Sequence, residues 1–285
     1  EIHERLVGSE MCIRDRYKEC LLMAEYAENT KHCMVSYYVL SPVGDAKTVG
    51  GSYQRMFPTM KLYRSYDNAD VRRDCNITGA YNPNNRYGSD LSKIPSETVD
   101  GYRYYVPAES SGVASGTSTA LWCTGKFRVS DPKERSSISA NQCVMNYPLM
   151  RMAEVRLQYA EALYFTGDES GARKQFDPVR ERVLAGDVSL KKLNEAYYRS
   201  DFVEELLEER GRELCYESKR KIDLIRFGRI TETIEELPSE GGPNNVAVGI
   251  DLLKDNWRSY KIWLPVPQLE IDLNPNLEQN AVYAD

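Results

Sequence analysis

Acidic and basic side chains are concentrated between Asp201 and Gly228, where their spacing could support acid–base chemistry. At about 100° per residue, one helical stripe combines acids, an arginine and aromatic rings: Phe202, Glu209, Glu213, Tyr216, Arg220, Asp223 and Phe227. A glycosidase needs two carboxylates about 5–5.5 or 6.5–9.5 Å apart across a bound sugar, and carboxylates beside arginines on one helix suit this poorly. We therefore interpret Glu209, Glu213 and Asp223 as structural, with Glu213 or Asp223 paired to Arg220 in partial burial.

One long helix is predicted to carry these side chains. Ser200 or Asp201 is a suitable N-cap, and Gly228 stands where a glycine commonly follows a helix. The apolar residues fall on one face: Val203, Leu206, Leu207, Leu214 and Ile225. Gly211 costs about 1 kcal/mol relative to alanine, so we expect a group to pack closely against it. The alternative is a surface helix with pairs such as Glu208–Arg212.

Other catalytic patterns are absent from the sequence. It contains no G-x-S-x-G, P-loop, G-x-G-x-x-G or HExxH motif, and His3 and His32 are its only histidines. The seven cysteines are scattered without CxxC or zinc-like spacing, which favours free thiols. We predict no catalytic residue, no cofactor and no metal site.

Charge and composition narrow the choice of partner. The 285-residue chain has a net charge of −6, which argues against a nucleic-acid partner. No apolar run reaches the roughly 18–20 residues of a membrane span. Twenty tyrosines and three tryptophans stand against six phenylalanines. This excess indicates a recognition surface, or simply tyrosine at half-buried positions.

The first sixteen residues look foreign to the rest. EIHERLVGSEMCIRDR has no clean periodicity and resembles translated adapter sequence, so we expect residues 1–16 to be a non-native leader and the domain to span 17–285. Four elements are predicted next: a helix over Tyr17–Ala27, a strand over Cys33–Leu40, a short helix over Phe57–Tyr66 begun at Pro58 or Thr59, and a charge-closed turn over Asp67–Arg73.

A long irregular segment from Cys75 to Asp131 is rich in Gly, Ser, Asn and Tyr. Compact domains rarely carry such a segment unless it is functional or disordered. Its predicted strands are Tyr102–Val106 and Gly125–Ser130.

Helical order is predicted to return at Asn146, with Tyr147–Met150 opening a helix that ends at Gly167-Asp168 and a second helix over Ser170–Leu184. The small and large residues of this pair follow a tetratricopeptide register: Ala160, Tyr164, Gly167, Ala172, Phe176 and Pro178. Beyond the Asp201–Gly228 helix we predict a loop over Glu235–Asp255, an extended segment over Tyr260–Pro267 and a turn at Leu269–Ile271. The fold class is mainly α, with helix pairs, long irregular loops and a few short strands.

Three phrases are similar to those of one known family. They are PLMRMAEVRLQYAEALYFTG ending at Gly167, ERGRELCYESKRKIDLIRFG ending at Gly228, and the pattern from Leu264 through Asn274-Pro275 to Tyr283. With Asp70-Val71-Arg72, their order and spacing resemble the SusD/RagB family. The resemblance implies a structural role for the signature residues: Arg151, Glu154, Glu161, Glu209, Arg210, Glu213, Arg220, Asp223 and Arg226.

The same resemblance implies a function. SusD/RagB proteins are helical outer-membrane lipoproteins of Bacteroidetes-type bacteria that cover a SusC-like TonB-dependent transporter as a glycan-capturing lid. We expect this chain to be the C-terminal part of such a protein, without the lipid anchor. Its ligand would be an oligosaccharide or polysaccharide.

Aromatic and amide side chains of the irregular segments are the predicted glycan contacts, because sugar rings need flat apolar platforms with polar groups at the edge. The candidates are Tyr53, Tyr81, Asn82, Asn84, Arg86, Tyr87 and Trp122. Leu121-Trp122-Cys123 also fits a short buried strand, and we assign Trp257 and Trp263 to the core. The alternatives are a tetratricopeptide-like scaffold that binds peptides and, third, a glycoside hydrolase.

Overall fold

The computed structural model describes residues 19–25, 58–80, 96–99, 102–105, 121–124, 126, 146–184, 188–237 and 246–283. The described strands are β1 (Cys20–Ala24), β2 (Ile77–Ala80), β3 (Ser96–Val99), β4 (Tyr102–Tyr105), β5 (Leu121–Thr124) and β6 (Tyr147–Arg151). The described helices before Gly228 are α1 (Met60–Arg64), α2 (Arg72–Asn76), α3 (Met152–Phe165), α4 (Glu169–Lys174), α5 (Asp177–Glu181), α6 (Leu190–Tyr197), α7 (Phe202–Glu213) and α8 (Arg220–Arg226). After it come α9 (Ile230–Glu235), α10 (Val246–Asn256), α11 (Gln268–Leu273) and 3-10 turns at Ser259–Ile262 and Ala281–Tyr283. The fold is mainly α, as predicted.

The strands form two small antiparallel groups. β1 pairs with β6, and four further strands are ordered β3-β4-β2-β5. The helix predicted over Tyr17–Ala27 is therefore wrong, because the apolar run CLLMA pairs with Tyr147–Arg151 instead. The same pairing makes the first residues of the predicted helix at Asn146 a strand, and α3 begins at Met152. A short apolar run does not distinguish strand from helix by its periodicity.

The predicted hairpin after β6 is confirmed, with one break. Gly167 adopts φ +94° after α3, and the N–H of Asp168 donates to the Leu163 carbonyl at 2.9 Å, which completes a Schellman cap. Its small and aromatic register residues Ala160, Ala172 and Phe176 are fully buried. The single helix predicted over Ser170–Leu184 is instead α4 and α5, because Pro178 has no N–H to continue the helical hydrogen bonds.

The predicted helix over Asp201–Gly228 is also two helices. Both predicted ends are confirmed: the Asp201 side chain accepts from the Val203 N–H at 2.8 Å, and Gly228 adopts φ +68° after α8. Between α7 and α8 the chain turns, with Tyr216 at φ +65° and Ser218 at φ +60°. Residues other than glycine rarely adopt this conformation, so the surrounding contacts must hold the turn.

The C-terminal region differs most from expectation. Val246–Asn256 forms α10 where a loop was predicted, and the turn predicted at Leu269–Ile271 lies inside α11. The extended prediction is correct only from Trp263 onward, because Ser259–Ile262 forms a 3-10 turn. Trp263 is 64% exposed and does not belong to the core, whereas Trp257 is half-buried.

Several shorter predictions can be compared directly. The helix predicted over Phe57–Tyr66 is present as α1, capped by Thr59, and the strand predicted at Tyr102–Val106 is present as β4. Cys33–Leu40 and all of Gly125–Ser130 except Lys126 lie outside the described residues. Neither Cys20 nor Cys215 is in a disulfide bond, as predicted for both.

The main hydrophobic cluster lies between the hairpin and α7. It contains Leu157 and Ala160 from α3, Phe176, and Phe202 and Leu206 from α7. Tyr164 stacks on Phe202 with ring centroids 4.4 Å apart. Burying each large apolar side chain contributes about 1.5–3 kcal/mol, so this cluster fixes α7 against the hairpin. In the part of the chain that the structure describes, no helix is long and apolar enough to cross a membrane.

Candidate functional site

The acid–base side chains on α7 meet arginines from distant segments. Glu209 is fully buried and accepts hydrogen bonds from Arg72 at 2.7 Å, Arg180 at 2.9 Å and Arg212 at 3.0 Å. Arg72 also holds Asp70, which accepts from its Nη2 at 2.6 Å. One carboxylate thus connects the Asp70-Val71-Arg72 turn, α5 and α7.

Glu213 lies one turn further along α7 and makes a second junction. It accepts from Arg72 at 2.9 Å and from Arg151 at 2.5 Å, and it also pairs with Arg182. Arg151 ends β6, so this junction fixes the two-stranded sheet to α7.

Glu217 holds the turn between α7 and α8 in place. Its carboxylate accepts from Nε of Arg151 at 2.9 Å and pairs with Lys126, which also donates to the Glu213 carbonyl at 2.5 Å. Glu217 is buried, and it directly follows Tyr216, one of the two positive-φ residues. These bonds account for the sharp turn, because they hold Glu217 close to the C-terminal end of α7.

The electrostatics keep these carboxylates ionised. Burial by itself would raise the pKa of Glu209, but the three guanidinium groups around it outweigh burial and hold that pKa well below its ordinary value. The surrounding cations likewise lower the pKa of Glu213 and of Glu217 against the effect of burial. A general acid for glycoside hydrolysis needs a raised pKa, so these groups are suited to structure rather than to proton donation.

The remaining signature residues connect α8 to its neighbours. Arg210 donates to Asp223 at 2.7 Å, and Arg226 pairs with both Asp223 and Glu161. Lys219 pairs with Glu154 at 3.1 Å. These pairs fasten α8 to both α7 and α3.

Arg220 differs from prediction. Its guanidinium donates to the Leu207 carbonyl at 2.6 Å, and no ion pair joins it to Glu213, to Asp223 or to any other residue that the structure describes. The break between α7 and α8 separates Arg220 from Glu213, which is why the predicted pairing is wrong. The close contact predicted at Gly211 is confirmed, because a Cβ there would lie 3.4 Å from Nη1 of Arg220.

The predicted glycan-contacting residues are placed only in part. Tyr53, Tyr81, Asn82, Asn84, Arg86 and Tyr87 lie outside the described residues. Trp122 lies in β5, opposite Gly79 of β2. A strand is therefore present at Leu121-Trp122-Cys123, as the interpretation of this segment as a short buried strand required. The role of Trp122 as a platform stays a prediction.

Sequence reasoning missed several members of the ion-pair network. Arg180, Glu205 and Tyr197 carry no motif that marks them, yet Arg180 donates to Glu205 at 2.9 Å and the Tyr197 hydroxyl donates to Asp70 at 2.7 Å. The Asp70-Val71-Arg72 phrase was the available signal, since its own two charges form a buried pair.

Comparison with sequence models of protein families identifies the family of this chain. The sequence model of the SusD family matches residues 29–283. The chain belongs to the SusD family. The buried network and the helical hairpin described above therefore belong to a SusD-family protein.

Among curated proteins, the chain is 29% identical over 201 residues to the starch-binding protein SusD of Bacteroides thetaiotaomicron, covering 69% of this chain and 31% of that protein. It is 28% identical over 250 residues to the SusD-like protein P2 of Formosa agariphila, covering 83% of this chain and 42% of that protein. The chain thus spans less than half the length of these two relatives.

Solved structures share the fold at lower identity. Surface glycan-binding protein A from Bacteroides thetaiotaomicron superposes with a TM-score of 0.61 at 18% identity, over 98% of this chain and 57% of that one. The same protein in complex with laminarihexaose gives a TM-score of 0.58 at 19% identity, over 98% and 61%. At these identities the likeness shows the fold.

Proposed function

We propose that this protein binds glycans without cleaving them and serves oligosaccharide uptake. The observation that carries the proposal is the SusD-family match over residues 29–283. Relatives named for starch binding and for surface glycan binding support the ligand class, as does the laminarihexaose complex of one of them. The ligand is an oligosaccharide or polysaccharide.

The proposal of a non-catalytic role draws on the ion pairs of α7 and α8. Glu209, Glu213 and Asp223 each accept hydrogen bonds from arginines and are buried. Hydrolysis would require two carboxylates facing a bound sugar, one of them with a raised pKa. These carboxylates are engaged with arginines instead, which favours binding over catalysis.

The partner and location follow from family membership as further parts of the proposal. The protein works at the outer membrane, facing outward, with a SusC-like TonB-dependent transporter. Attachment is through a lipid anchor.

Native affinity electrophoresis tests the binding. The purified chain is run through gels that contain amylopectin, laminarin or other neutral polysaccharides, beside a non-binding protein of similar size. We expect at least one polysaccharide to retard the chain. A reducing-end assay on the same polysaccharides should show no release of sugar above the buffer control.

Two results would contradict the proposal in different ways. Unchanged mobility across a broad polysaccharide panel would contradict the proposal of glycan binding. A steady release of reducing ends would show that the protein is a hydrolase. For the transporter, a tagged version expressed in its native host should co-purify with a TonB-dependent transporter from detergent-solubilised outer membranes. Recovery of the tagged protein without any transporter would contradict the proposed partner.

A further inference from the structure

A groove of about 550 Å³ lies between α3 and α8. Phe165 and Ile222 line it with side chains that are 64% and 62% exposed. We call it the α3–α8 groove. Its volume falls within the range of about 300–1,000 Å³ that is usual for small-molecule sites.

Two buried charged residues of the α3–α8 groove are incompletely satisfied. Glu154 and Arg210 are each 4% exposed, and Glu154 Oε2 and Arg210 Nη1 have no hydrogen-bond partner among the described residues. A buried polar atom without a partner costs about 1–3 kcal/mol, and more when the group is charged. The residues that carry this acceptor and this donor both line the groove.

The charges of the groove balance. Glu154, Glu161 and Asp223 contribute three acidic groups, and Arg210, Lys219 and Arg226 contribute three basic ones. A strongly anionic or cationic ligand gains no net attraction from such a lining. The lining favours a neutral ligand that can both donate and accept hydrogen bonds.

A hydroxyl group meets this requirement with a single atom, because it carries one donor and two acceptor lone pairs. It can donate to the Glu154 carboxylate and accept from the Arg210 guanidinium, and hydrogen bonds to ionised groups are the stronger kind. An amide needs two separate groups for the same task. Phe165 and Ile222 supply apolar surface for the C–H face of a ring.

We propose that the α3–α8 groove is a second binding site, which takes a neutral sugar unit of an oligosaccharide. The choice of a sugar over another polyol rests on the proposed glycan-binding function. Gln158 is exposed and reaches Glu154 Oε1 only at 3.5 Å, so it can move aside to admit the ligand. The site adds a contact point to the one predicted around Trp122.

Methyl NMR spectroscopy on the intact chain tests this site directly. With isoleucine δ1-methyl labelling, Ile222 reports on the groove, whereas Ile234 is buried outside its lining. Maltohexaose and laminarihexaose are titrated separately. We expect a saturable shift of the Ile222 methyl signal with at least one sugar and no comparable shift of Ile234.

A pair of α3 variants provides the matched control. Phe165→Ala removes the aromatic wall and should weaken the affinity measured at Ile222 by at least about fivefold. Tyr159→Ala removes an aromatic ring that is 53% exposed on the same helix and does not line the groove, so it should leave the affinity unchanged. The wild-type titration remains decisive if Phe165→Ala folds poorly.

The outcomes separate this site from the wider function. Retardation of the chain by a polysaccharide with an unmoved Ile222 signal overturns the groove assignment, leaves glycan binding intact and indicates that water alone fills the groove. Failure of both measurements overturns both proposals. If a displayed library of random short peptides yields a binder that shifts Ile222 while sugars do not, the groove is a peptide site and the sugar assignment is wrong.

Discussion

Glu209 on α7 accepts a hydrogen bond of 2.7 Å from Arg72 on α2, although 137 positions separate the two residues in the chain. Arg180 and Arg212 bind the same carboxylate, so a single buried anion neutralises charge from three segments. Removing one partner of a buried ion pair leaves the others uncompensated, which makes such a junction sensitive to mutation.

Glu209→Gln should destabilise the protein strongly. Loss of the carboxylate removes a counter-charge that three buried arginines share, and removing one partner of a buried ion pair typically costs about 3–5 kcal/mol. Glu208→Gln is the matched control, because Glu208 is the preceding residue and is 27% exposed, and its ion pairs are worth about 1 kcal/mol or less. Thermal unfolding followed by circular dichroism measures both. Equal melting temperatures for the two variants would show that the buried network contributes little.

Acid should unfold the protein through the same carboxylates. The pKa values of Glu209, Glu213 and Glu217 are lowered in the folded state, while the unfolded value for glutamate is about 4.3. The unfolded chain therefore takes up more protons as the pH falls, so stability present above about pH 5 is lost on acidification.

Urea unfolding midpoints between pH 7 and pH 3 measure this effect. The midpoint should fall steeply below about pH 5 in the wild type and less steeply in Glu209→Gln, which has one fewer of these groups to protonate. A wild-type midpoint that stays constant down to pH 3.5 would disprove the linkage.

Two glycines, Gly211 inside α7 and Gly228 after α8, should respond oppositely to alanine. Gly211→Ala should stabilise by about 0.5–1 kcal/mol, because the new Cβ meets only the Arg220 guanidinium at 3.4 Å and helix propensity improves. Gly228→Ala should destabilise by about 1–2 kcal/mol, because φ +68° strains a residue with a Cβ. Chemical denaturation of both variants gives the comparison. A loss of stability at Gly211 would mean that the Arg220 contact cannot adjust.

The two C-terminal tryptophans, Trp257 and Trp263, should differ in how much they contribute to stability. Trp263→Ala should change stability by no more than about 0.5 kcal/mol, since the side chain is 64% exposed. Trp257 is half-buried and its Nε1–H donates to Thr231 Oγ1 at 3.1 Å, so Trp257→Ala should cost about 1–3 kcal/mol. Melting curves of the two alanine variants, run side by side, check the order. The reverse order would return Trp263 to the core.

Helix ends and local registers could be predicted because their causes are local. Asp201 caps α7 through its own side chain, and Gly228 ends α8 because it tolerates positive φ. The small–aromatic pattern of Ala160, Ala172 and Phe176 likewise indicates a helical hairpin from residues that lie close together in the sequence.

The break between α7 and α8 could not be predicted, because its cause is distant. Nothing in the residue types of Tyr216 and Ser218 predicts their positive φ angles. Arg151, which donates to Glu217, lies 66 positions before Glu217 in the chain. The same limit applies to Arg220, because its guanidinium reaches the Leu207 carbonyl only when α8 folds back beside α7. Pairing across a fold is decided by which segments meet, and a pattern within one segment does not contain that information.

Trp122 is the sharpest test of the predicted glycan-contacting residues. It lies in β5 opposite Gly79, and stacking of a sugar on its ring would concentrate binding energy in that one side chain. Trp122→Ala should therefore abolish retardation in the polysaccharide gel while the melting temperature stays within a few degrees. Trp257→Ala is the control, since it should lower stability and leave retardation intact at temperatures where it stays folded. A core tryptophan would instead cost about 3–5 kcal/mol. If Trp122→Ala melts much earlier but still binds when folded, the platform assignment fails and Tyr53 and Tyr87 become the residues to mutate.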